Sequence, residues 1–287
     1  DAWELEASID HRKEIVDTLK SVELVENGPL EAVLRFSWTY EGSTITQDLV
    51  VYAHHKRVDF STTVDWKERS KLLKVAFPVT VHANAARFDI QYGSLERPTH
   101  TSTSWDEAQF EVVGHQWADL SEYGFGVALM NDSKYGYDIK GGIMRLSLLK
   151  GAEYPDVHAD IGVHHFIYSL YVHEKAWNES DLIPLAWDLN APLQVLEGTI
   201  KAENLFELSA KGVALDALKR AEDGDALILR VHEMHGGRTP FSLQCNVPIS
   251  RWCEADLLER PVTDWVGGGT IERVIKPFEI VTFRLEV

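Results

Sequence analysis

Residues 87–138 decide the fold, and they read RFDIQYGSLERPTHTSTSWDEAQFEVVGHQWADLSEYGFGVALMNDSKYGYD. Apolar and polar residues alternate over 87–92, and this period of two predicts a half-buried β-strand that ends at Gly93. A second apolar run at 126–130 predicts another strand, followed by a turn that starts at Asn131. Short strands joined by polar turns predict an antiparallel β structure.

The loops between these strands carry an unusual density of polar and aromatic side chains. Residues 101–106 read TSTSWD, and residues 131–138 add carboxylates, an amide and tyrosines. Such side chains bind sugars, because sugar hydroxyls need directed hydrogen bonds and sugar C–H faces pack on aromatic rings. A loop network whose polar groups satisfy one another predicts the same composition, so the residues alone leave both interpretations open.

Apolar alternation predicts further strands on both sides of this stretch, at 32–39, 44–52, 57–65, 110–112, 143–149 and 164–172. Residues 72–79 are apolar on both faces, which predicts a strand buried deep between packed sheets. Trp66 follows a predicted strand, and we expect its indole to be buried. Residues 11–20 are charged and mixed, and they predict either a short helix or an irregular edge.

The last third of the chain predicts a second, smaller unit. Residues 177–190 contain the convincing helix-like pattern of the chain, and Pro192 marks its end. More strands are predicted at 205–208, 213–219, 226–232, 270–275 and 280–285. We therefore expect an all-β chain, with one large domain at 1–204 and a small β-sandwich domain at 205–287.

Charge and cysteine content argue against several classes of protein. The 287 residues carry a formal net charge of −17, which disfavours nucleic acid or an anionic membrane as partner but suits a neutral carbohydrate. No apolar run approaches the roughly 18 residues of a spanning helix, and Asp1 does not begin a signal segment. Cys245 and Cys253 have neither metal-ligand spacing nor a disulfide framework, so we expect reduced thiols and a cytoplasmic location.

Motifs for several reaction classes do not occur in the sequence. It contains no Gly-x-Ser-x-Gly, Gly-x-x-x-x-Gly-Lys or strand-following Gly-x-Gly-x-x-Gly, so acyl transfer, nucleotide hydrolysis and dinucleotide redox chemistry lack support. His158 and Asp160 have a spacing that can chelate a metal ion, but no further ligands cluster with them in the sequence. We therefore predict no metal site in this chain.

Five motifs carry a family resemblance: IQYGSLERPTHTSTSWD, FEVVGHQWADLSEYGFGVALMNDSKYGYD, LSLLKG, PDVHADIGVHHFIYSLYVH and RAEDGDALILRVHE. They resemble the C-terminal, β-rich half of the α-mannosidases of glycoside hydrolase family thirty-eight. The resemblance is to the branch that contains bacterial, fungal and cytosolic or vacuolar enzymes. It covers nearly the whole chain, from Asp1 to Ile280.

The resemblance implies a fold and a reaction. The fold is a large antiparallel β supersandwich of the galactose-mutarotase type, followed by a small β-sandwich. The reaction is the retaining hydrolysis of α-mannosides with a zinc ion at the sugar. In that family the nucleophile and the zinc ligands lie in an N-terminal α/β domain, which no segment here matches. We therefore expect no catalytic residue and no cofactor in this chain, zinc in the N-terminal half, and the catalytic domain of the same polypeptide as partner.

The resemblance also suggests substrate-binding residues. The strand-to-turn position of 131–138 is expected to project side chains from the sheet end towards the catalytic domain. Lys150 stands where the family usually has Arg, which some members direct towards the sugar, and we expect His164 and the loop 156–162 on the same rim. A solvated surface charge is the alternative for this lysine. The candidate substrate-binding residues are Asn131, Asp132, Tyr135, Tyr137, Asp138 and Lys150.

Three functions remain open on the sequence. The first is the C-terminal region of an α-mannosidase, which completes the substrate pocket from one side. The second is a stand-alone carbohydrate-binding β supersandwich module. The third is a purely structural β domain that never touches sugar.

Overall fold

A computed structural model describes residues 1–5, 9, 11–199 and 204–287. Its contacts divide the chain into two compact units. The first unit is Asp1–Ile90 with Leu95–Leu193, and the second is Gln91–Ser94 with Gln194–Val287. The domain boundary predicted between 204 and 205 borders residues outside the described part of the chain and stays a prediction.

The strands up to His173 follow the apolar alternation of the sequence, because successive side chains of a strand point to opposite faces. They are β1 Leu19–Asn27, β2 Glu31–Tyr40, β3 Ser43–Tyr52, β4 Arg57–Trp66, β5 Leu73–Pro78, β6 Ala85–Ile90, β7 Gly93–Pro98, β8 Val112–Val113, β9 Trp117–Glu122, β10 Phe125–Asn131, β11 Gly136–Lys140, β12 Ile143–Leu149 and β13 Gly162–His173. The helices among the described residues are α1 Ser104–Glu107 and α2 Leu182–Asn190.

These strands form, within the described chain, two antiparallel sheets. The nine-stranded sheet has the order β1-β2-β3-β4-β13-β10-β9-β6-β7, and the four-stranded sheet has the order β5-β12-β11-β8. One core lies between them, to which the large sheet contributes Trp66 and Phe166 and the small sheet Tyr137 and Met144. The all-β sandwich predicted from the sequence is confirmed.

Strand β5 corrects the expectation of a deeply buried strand at 72–79. It lies at the edge of the four-stranded sheet, where it pairs only with β12 among the described strands. Leu73, Val75 and Phe77 are half-buried and pack on the core from its margin. Apolar residues on both faces therefore do not require a central position, since an edge strand can carry them too. By contrast, Trp66 is 1% exposed, which confirms the expected buried indole.

The two helix predictions have different outcomes. Residues 13–18 have neither helix nor strand and β1 starts at Leu19, so the helix alternative for 11–20 is wrong and the irregular edge is right. Helix α2, Leu182–Asn190, lies within the helix-like region predicted at 177–190 and ends where predicted, before Pro192. The preceding residues form a turn, in which the Ser180 and Glu179 amides donate to the Ala176 carbonyl.

The second unit is a small sandwich. Its strands are β14 Phe206–Leu208, β15 Val213–Arg220, β16 Leu227–Glu233, β17 Thr239–Cys245, β18 Arg251–Ala255, β19 Val266–Gly267, β20 Thr270–Ile275 and β21 Ile280–Glu286. In the described residues they form a three-stranded sheet, β14-β17-β20, and a five-stranded sheet, β15-β16-β21-β18-β19. Leu243 and Ile271 of the smaller sheet share a core with Leu229 and Phe283 of the larger one.

The two cysteines lie in this second unit. Cys245 and Cys253 are both free and buried, and burial raises the pKa of each thiol. Their thiols are therefore poor nucleophiles at neutral pH. Of the helices that the structure describes, none is long and apolar enough to cross a membrane.

Candidate functional site

A cleft of about 610 Å³ lies beside the four-stranded sheet of the first unit. Its walls come from distant parts of the sequence: the start of the chain, residues 108–113, residues 135–136 and residues 147–150. Gly136 and Ser147 line it, whereas their neighbours Tyr137 and Leu146 face the core. Strand alternation therefore places the cleft on the side of this sheet that faces away from the core.

Aromatic rings border the cleft. Trp3 and Tyr135 line it and are 71% and 58% exposed, and Phe110 is 37% exposed. The Trp3 ring packs edge-on against Tyr154 with 6.0 Å between ring centroids, and Tyr135 packs edge-on against His115. Exposed rings of this kind offer flat apolar faces to a ligand.

Lys150 and Asp160 form one rim of the cleft. Asp160 Oδ2 accepts hydrogen bonds from the backbone amides of Lys150 at 2.7 Å and Gly151 at 3.1 Å. The His164 Nε2 lies 2.8 Å from the Asp160 carbonyl oxygen. Lys150 Nζ donates to the Glu4 carbonyl oxygen. The structure thus brings Lys150 and His164 together with Asp160 of the 156–162 loop, and of these three residues Lys150 and Asp160 line the cleft.

Glu111 lines the cleft as well. Lys74 Nζ lies 2.9 Å from Glu111 Oε2, and the Ser147 hydroxyl donates to the same oxygen. Lys74 also lies 4.0 Å from Asp138, whose carboxylate contacts Arg145 Nε at 2.8 Å. Charges of alternating sign therefore continue from the cleft across the sheet. In the sequence, Glu111 is only part of a predicted strand, because one glutamate between Phe110 and Val112 forms no motif.

Three of the predicted substrate-binding residues do not project from the sheet. Tyr137 is 0% exposed, Asn131 is 1% exposed and Asp138 is 7% exposed. Asn131 Nδ2 donates to the Tyr137 hydroxyl and to the His115 carbonyl oxygen, and burial raises the pKa of Tyr137. The expected projection is therefore wrong for these three residues. Tyr137 points from β11 into the core, and Asn131 is hydrogen-bonded to it. Asp138 is covered by ion pairs with Lys74 and Arg145. Their substrate-binding role stays a prediction.

The other predicted residues are accessible. Asp132 and Tyr135 are exposed, and Lys150 is half-buried. Tyr135 and Lys150 both line the cleft, whereas Asp132 does not. The Nζ atom of Lys134, which lies between Asp132 and Tyr135 in the sequence, is 4.4 Å from the centroid of the Phe166 ring. Burial lowers the pKa of Lys134, and the charges of Asp160 and Asp132 oppose that effect.

The polar run at 101–106 is accounted for in part by a helix cap. The Thr103 hydroxyl accepts a hydrogen bond from the Asp106 amide, and the Asp106 carboxylate accepts one from the Thr103 amide. This reciprocal capping box satisfies the first amides of α1. For these residues the alternative of a self-satisfied loop describes the structure.

A metal ion has no evident ligand set in the described part of the chain. There, no three His, Cys, Asp or Glu side chains lie together in a way that could hold one. Asp160 instead binds two backbone amides through Oδ2, and His158 donates its amide to Asp156. These residues do not fit the zinc ion that the family resemblance implies, so no chemical step of this chain is assigned to zinc.

Comparison with known proteins decides the family. The sequence model described as "Glycosyl hydrolases family 38 C-terminal domain" matches residues 1–158, and "Glycosyl hydrolases family 38 C-terminal beta sandwich domain" matches residues 212–283. The chain belongs to glycosyl hydrolase family 38. The resemblance seen in the sequence motifs is thereby confirmed.

Relatives in family 38 are much longer than this chain. Alpha-mannosidase G of Dictyostelium discoideum is 38% identical, and the match covers 99% of this chain but 28% of that protein. An alpha-mannosidase of Saccharomyces cerevisiae is 37% identical, with 82% of this chain and 24% of the relative covered. The chain therefore spans less than a third of the length of these relatives.

A solved family 38 structure has the same fold. The crystal structure of an alpha-mannosidase from Enterococcus faecalis V583 superposes with a TM-score of 0.80 at 18% identity. The superposition covers 94% of this chain and 35% of that one. At this identity the likeness bears on the fold alone.

Proposed function

We propose that this chain is the C-terminal region of a retaining, zinc-dependent α-mannosidase and that its cleft completes the substrate pocket. The observation that carries the proposal is the family 38 match over residues 1–158, the segment that supplies almost the whole cleft wall. Relatives that share this segment are named alpha-mannosidases. The nucleophile, the acid/base and the zinc ion belong, in this proposal, to the preceding part of the same polypeptide.

The chemistry of the cleft supports a sugar as ligand. Trp3, Phe110 and Tyr135 offer ring faces, while Glu111 and Lys150 offer hydrogen-bond groups of both signs. A mannose unit presents hydroxyls and C–H faces, so it matches this mixture. The net charge of −17 suits a neutral ligand and disfavours nucleic acid or an anionic membrane. The cytoplasmic location expected from the sequence belongs to the same proposal.

An activity comparison tests the proposal. The longer natural polypeptide and this chain alone are purified and assayed with an aryl α-mannoside in the presence of zinc, with the aryl β-mannoside as control. We expect the longer protein to release mannose and this chain to release none, because a reaction barrier falls mainly through groups that contact the reacting atoms. Nuclear magnetic resonance of the first product distinguishes retention from inversion.

Two results would contradict the proposal. One is zinc-dependent α-mannoside hydrolysis by this chain alone, which would put the reacting groups in it. The other is a longer protein that folds but does not cleave α-mannosides. Binding of methyl α-mannoside to this chain alone would favour the alternative of an independent carbohydrate-binding module. The exposed rings of Trp3 and Tyr135 support this alternative.

A further inference from the structure

Glu111 lines the cleft, and neighbouring side chains hold one of its two carboxylate oxygens. Asp160, which lines the cleft too, also binds through one oxygen, but to backbone amides. Lys74 and Ser147 both contact Oε2, at 2.9 Å for the lysine Nζ. Among the described residues, no donor forms a hydrogen bond with Oε1. One oxygen is therefore anchored, whereas the other lies beside Gly136 on the wall of the cleft, which both residues line.

The neighbouring glycine keeps this arrangement in place. A methyl group at position 136 would lie 2.1 Å from Glu111 Oε1 and 2.6 Å from its carboxyl carbon. Gly136 thus leaves the space in which Oε1 sits, although its own backbone does not need a positive φ. Any larger residue would push the carboxylate away.

Charge and surroundings specify the kind of ligand for this oxygen. Lys74 already offsets the negative charge of Glu111, so a second cation would gain little there. An ionised carboxylate only accepts hydrogen bonds, so its partner must be a donor such as a hydroxyl group. Phe110 and Tyr135 line the same cleft with apolar rings. A neutral ring compound with hydroxyl groups satisfies both features.

We propose that Glu111 is a substrate-binding residue whose Oε1 accepts a hydrogen bond from a hydroxyl group of the mannoside, with Ser147, Lys74 and Gly136 as positioning residues. This inference rests on the proposed function and adds to it the group that recognises one sugar hydroxyl. Lys74 and Ser147 act only through Glu111. They hold the carboxylate in one rotamer, so that little side-chain entropy is lost when sugar binds.

Two variants of the longer enzyme test this assignment. Glu111→Gln keeps the size of the side chain but removes its charge, and Gly136→Ala keeps the charge but displaces the carboxylate. Each should raise KM for an aryl α-mannoside about tenfold or more, the effect of losing one charge-assisted hydrogen bond. Glu26→Gln is the matched control, because Glu26 is exposed on β1, and its KM should equal that of the parent.

Monodeoxy aryl α-mannosides make the test independent of folding. With the parent enzyme, one of these substrates should show a KM raised about tenfold, because it lacks the hydroxyl that Glu111 binds. With Glu111→Gln, the KM for the same deoxy substrate should be close to the KM for the full mannoside. Thermal unfolding of each variant shows whether it is folded.

The outcomes separate the two proposals. An inactive but folded parent enzyme refutes the proposed function, and the Glu111 assignment falls with it. If the parent is active while both variants keep its KM, only the assignment is wrong and Glu111 is a structural ion-pair partner of Lys74. The assignment is also wrong if every deoxy substrate raises KM by the same factor in Glu111→Gln as in the parent.

Discussion

The Nε2 atom of His173 lies 2.8 Å from Oδ1 of Asp119, and both side chains are buried. The His173 Nδ1 lies 2.7 Å from the Lys175 carbonyl oxygen, which can only accept. Both ring nitrogens therefore face acceptors, and the charged imidazolium satisfies both. Burial lowers the pKa of His173, but the hydrogen bond and charge of Asp119 outweigh burial, and the net pKa is raised.

This pair predicts a pH-dependent stability. Since the pKa of His173 is higher in the folded than in the unfolded chain, its contribution is complete below the unfolded value of about 6.5 and is lost as pH rises through the folded value. His173→Gln should lower the free energy of unfolding by about 3 kcal/mol at pH 6 and flatten its fall towards alkaline pH. Urea unfolding across this pH range measures both effects.

The exposed His165 provides the control for that measurement. His165→Gln should leave the slope of stability against pH as in the parent chain. A parent stability that rises between pH 6 and pH 8, with the slope changed by His173→Gln, would contradict the charged state assigned to His173.

We expect the stability of the chain to depend strongly on a glycine at position 151, next to the cleft rim. Its φ is +55°, and a methyl group there would lie 2.5 Å from the Glu68 carbonyl oxygen. Gly124 has a similar φ of +76° but nothing within 4 Å of such a methyl group. Gly124→Ala should therefore cost about 1 kcal/mol of unfolding free energy, and Gly151→Ala clearly more. Equal costs in chemical denaturation would show that the rim has room to shift.

Removing the hydroxyl group should lower stability at Tyr137 but not at Tyr135. Tyr137→Phe leaves the buried Asn131 amide with one acceptor fewer and should reduce stability by about 1–2 kcal/mol. In the longer enzyme, its turnover per folded molecule should equal that of the parent. Tyr135→Phe should leave stability within about 0.5 kcal/mol, because its ring is exposed. Unfolding and kinetics are measured on the same preparations. Lower turnover with normal stability in Tyr137→Phe would instead support its predicted substrate-binding role.

Lys150 predicts a kinetic effect in the longer enzyme. If this ammonium group borders the substrate, Lys150→Ala should lower kcat/KM for an aryl α-mannoside. Lys150→Arg should change it a few-fold, because a planar guanidinium does not replace a point charge. Lys20→Ala, at an exposed lysine of β1, is the control and should have no effect. Parent-like kinetics in both Lys150 variants would make this residue a solvated surface charge.

Much of the fold follows from side-chain alternation. Strands β2 to β4, β10, β12 and β13 have regular apolar periods, so their positions were predictable to within a few residues, whereas β11 was predicted as part of a turn. Strand β7 was not predicted, because Glu96, Arg97 and Pro98 are typical of a loop, and Pro98 stands where the strand ends. Strands β17 to β19 were missed for a related reason: Pro240 and short length conceal their period.

The candidate site was less predictable than the fold. Lys150 was identified through the family resemblance, and Tyr135 through the polar turn that contains it. Trp3 and Glu111 reach the cleft only through pairing of strands and loops that are remote in sequence. The inward side of β11 could be read from Tyr137 and Ile139, yet a turn with tyrosines and carboxylates suggested a surface. Composition thus indicates the chemistry of a region, whereas the direction of each side chain can be predicted only when the pairing register of its strand is known.

The pairing of β4 with β13 has a consequence for how the chain is made. Arg57 pairs with Tyr171 and Trp66 with Gly162, so the edge of β4 stays open on the ribosome until β13 has been synthesised. Bringing β13 to β4 closes a long loop, and the loss of chain entropy comes before the contacts between the two strands form. β proteins rich in such long-range pairing fold in milliseconds to seconds. An open edge is also a template for association with other nascent chains. Slow translation between these strands would therefore lower the soluble yield, and chaperones that cover strand edges would restore it.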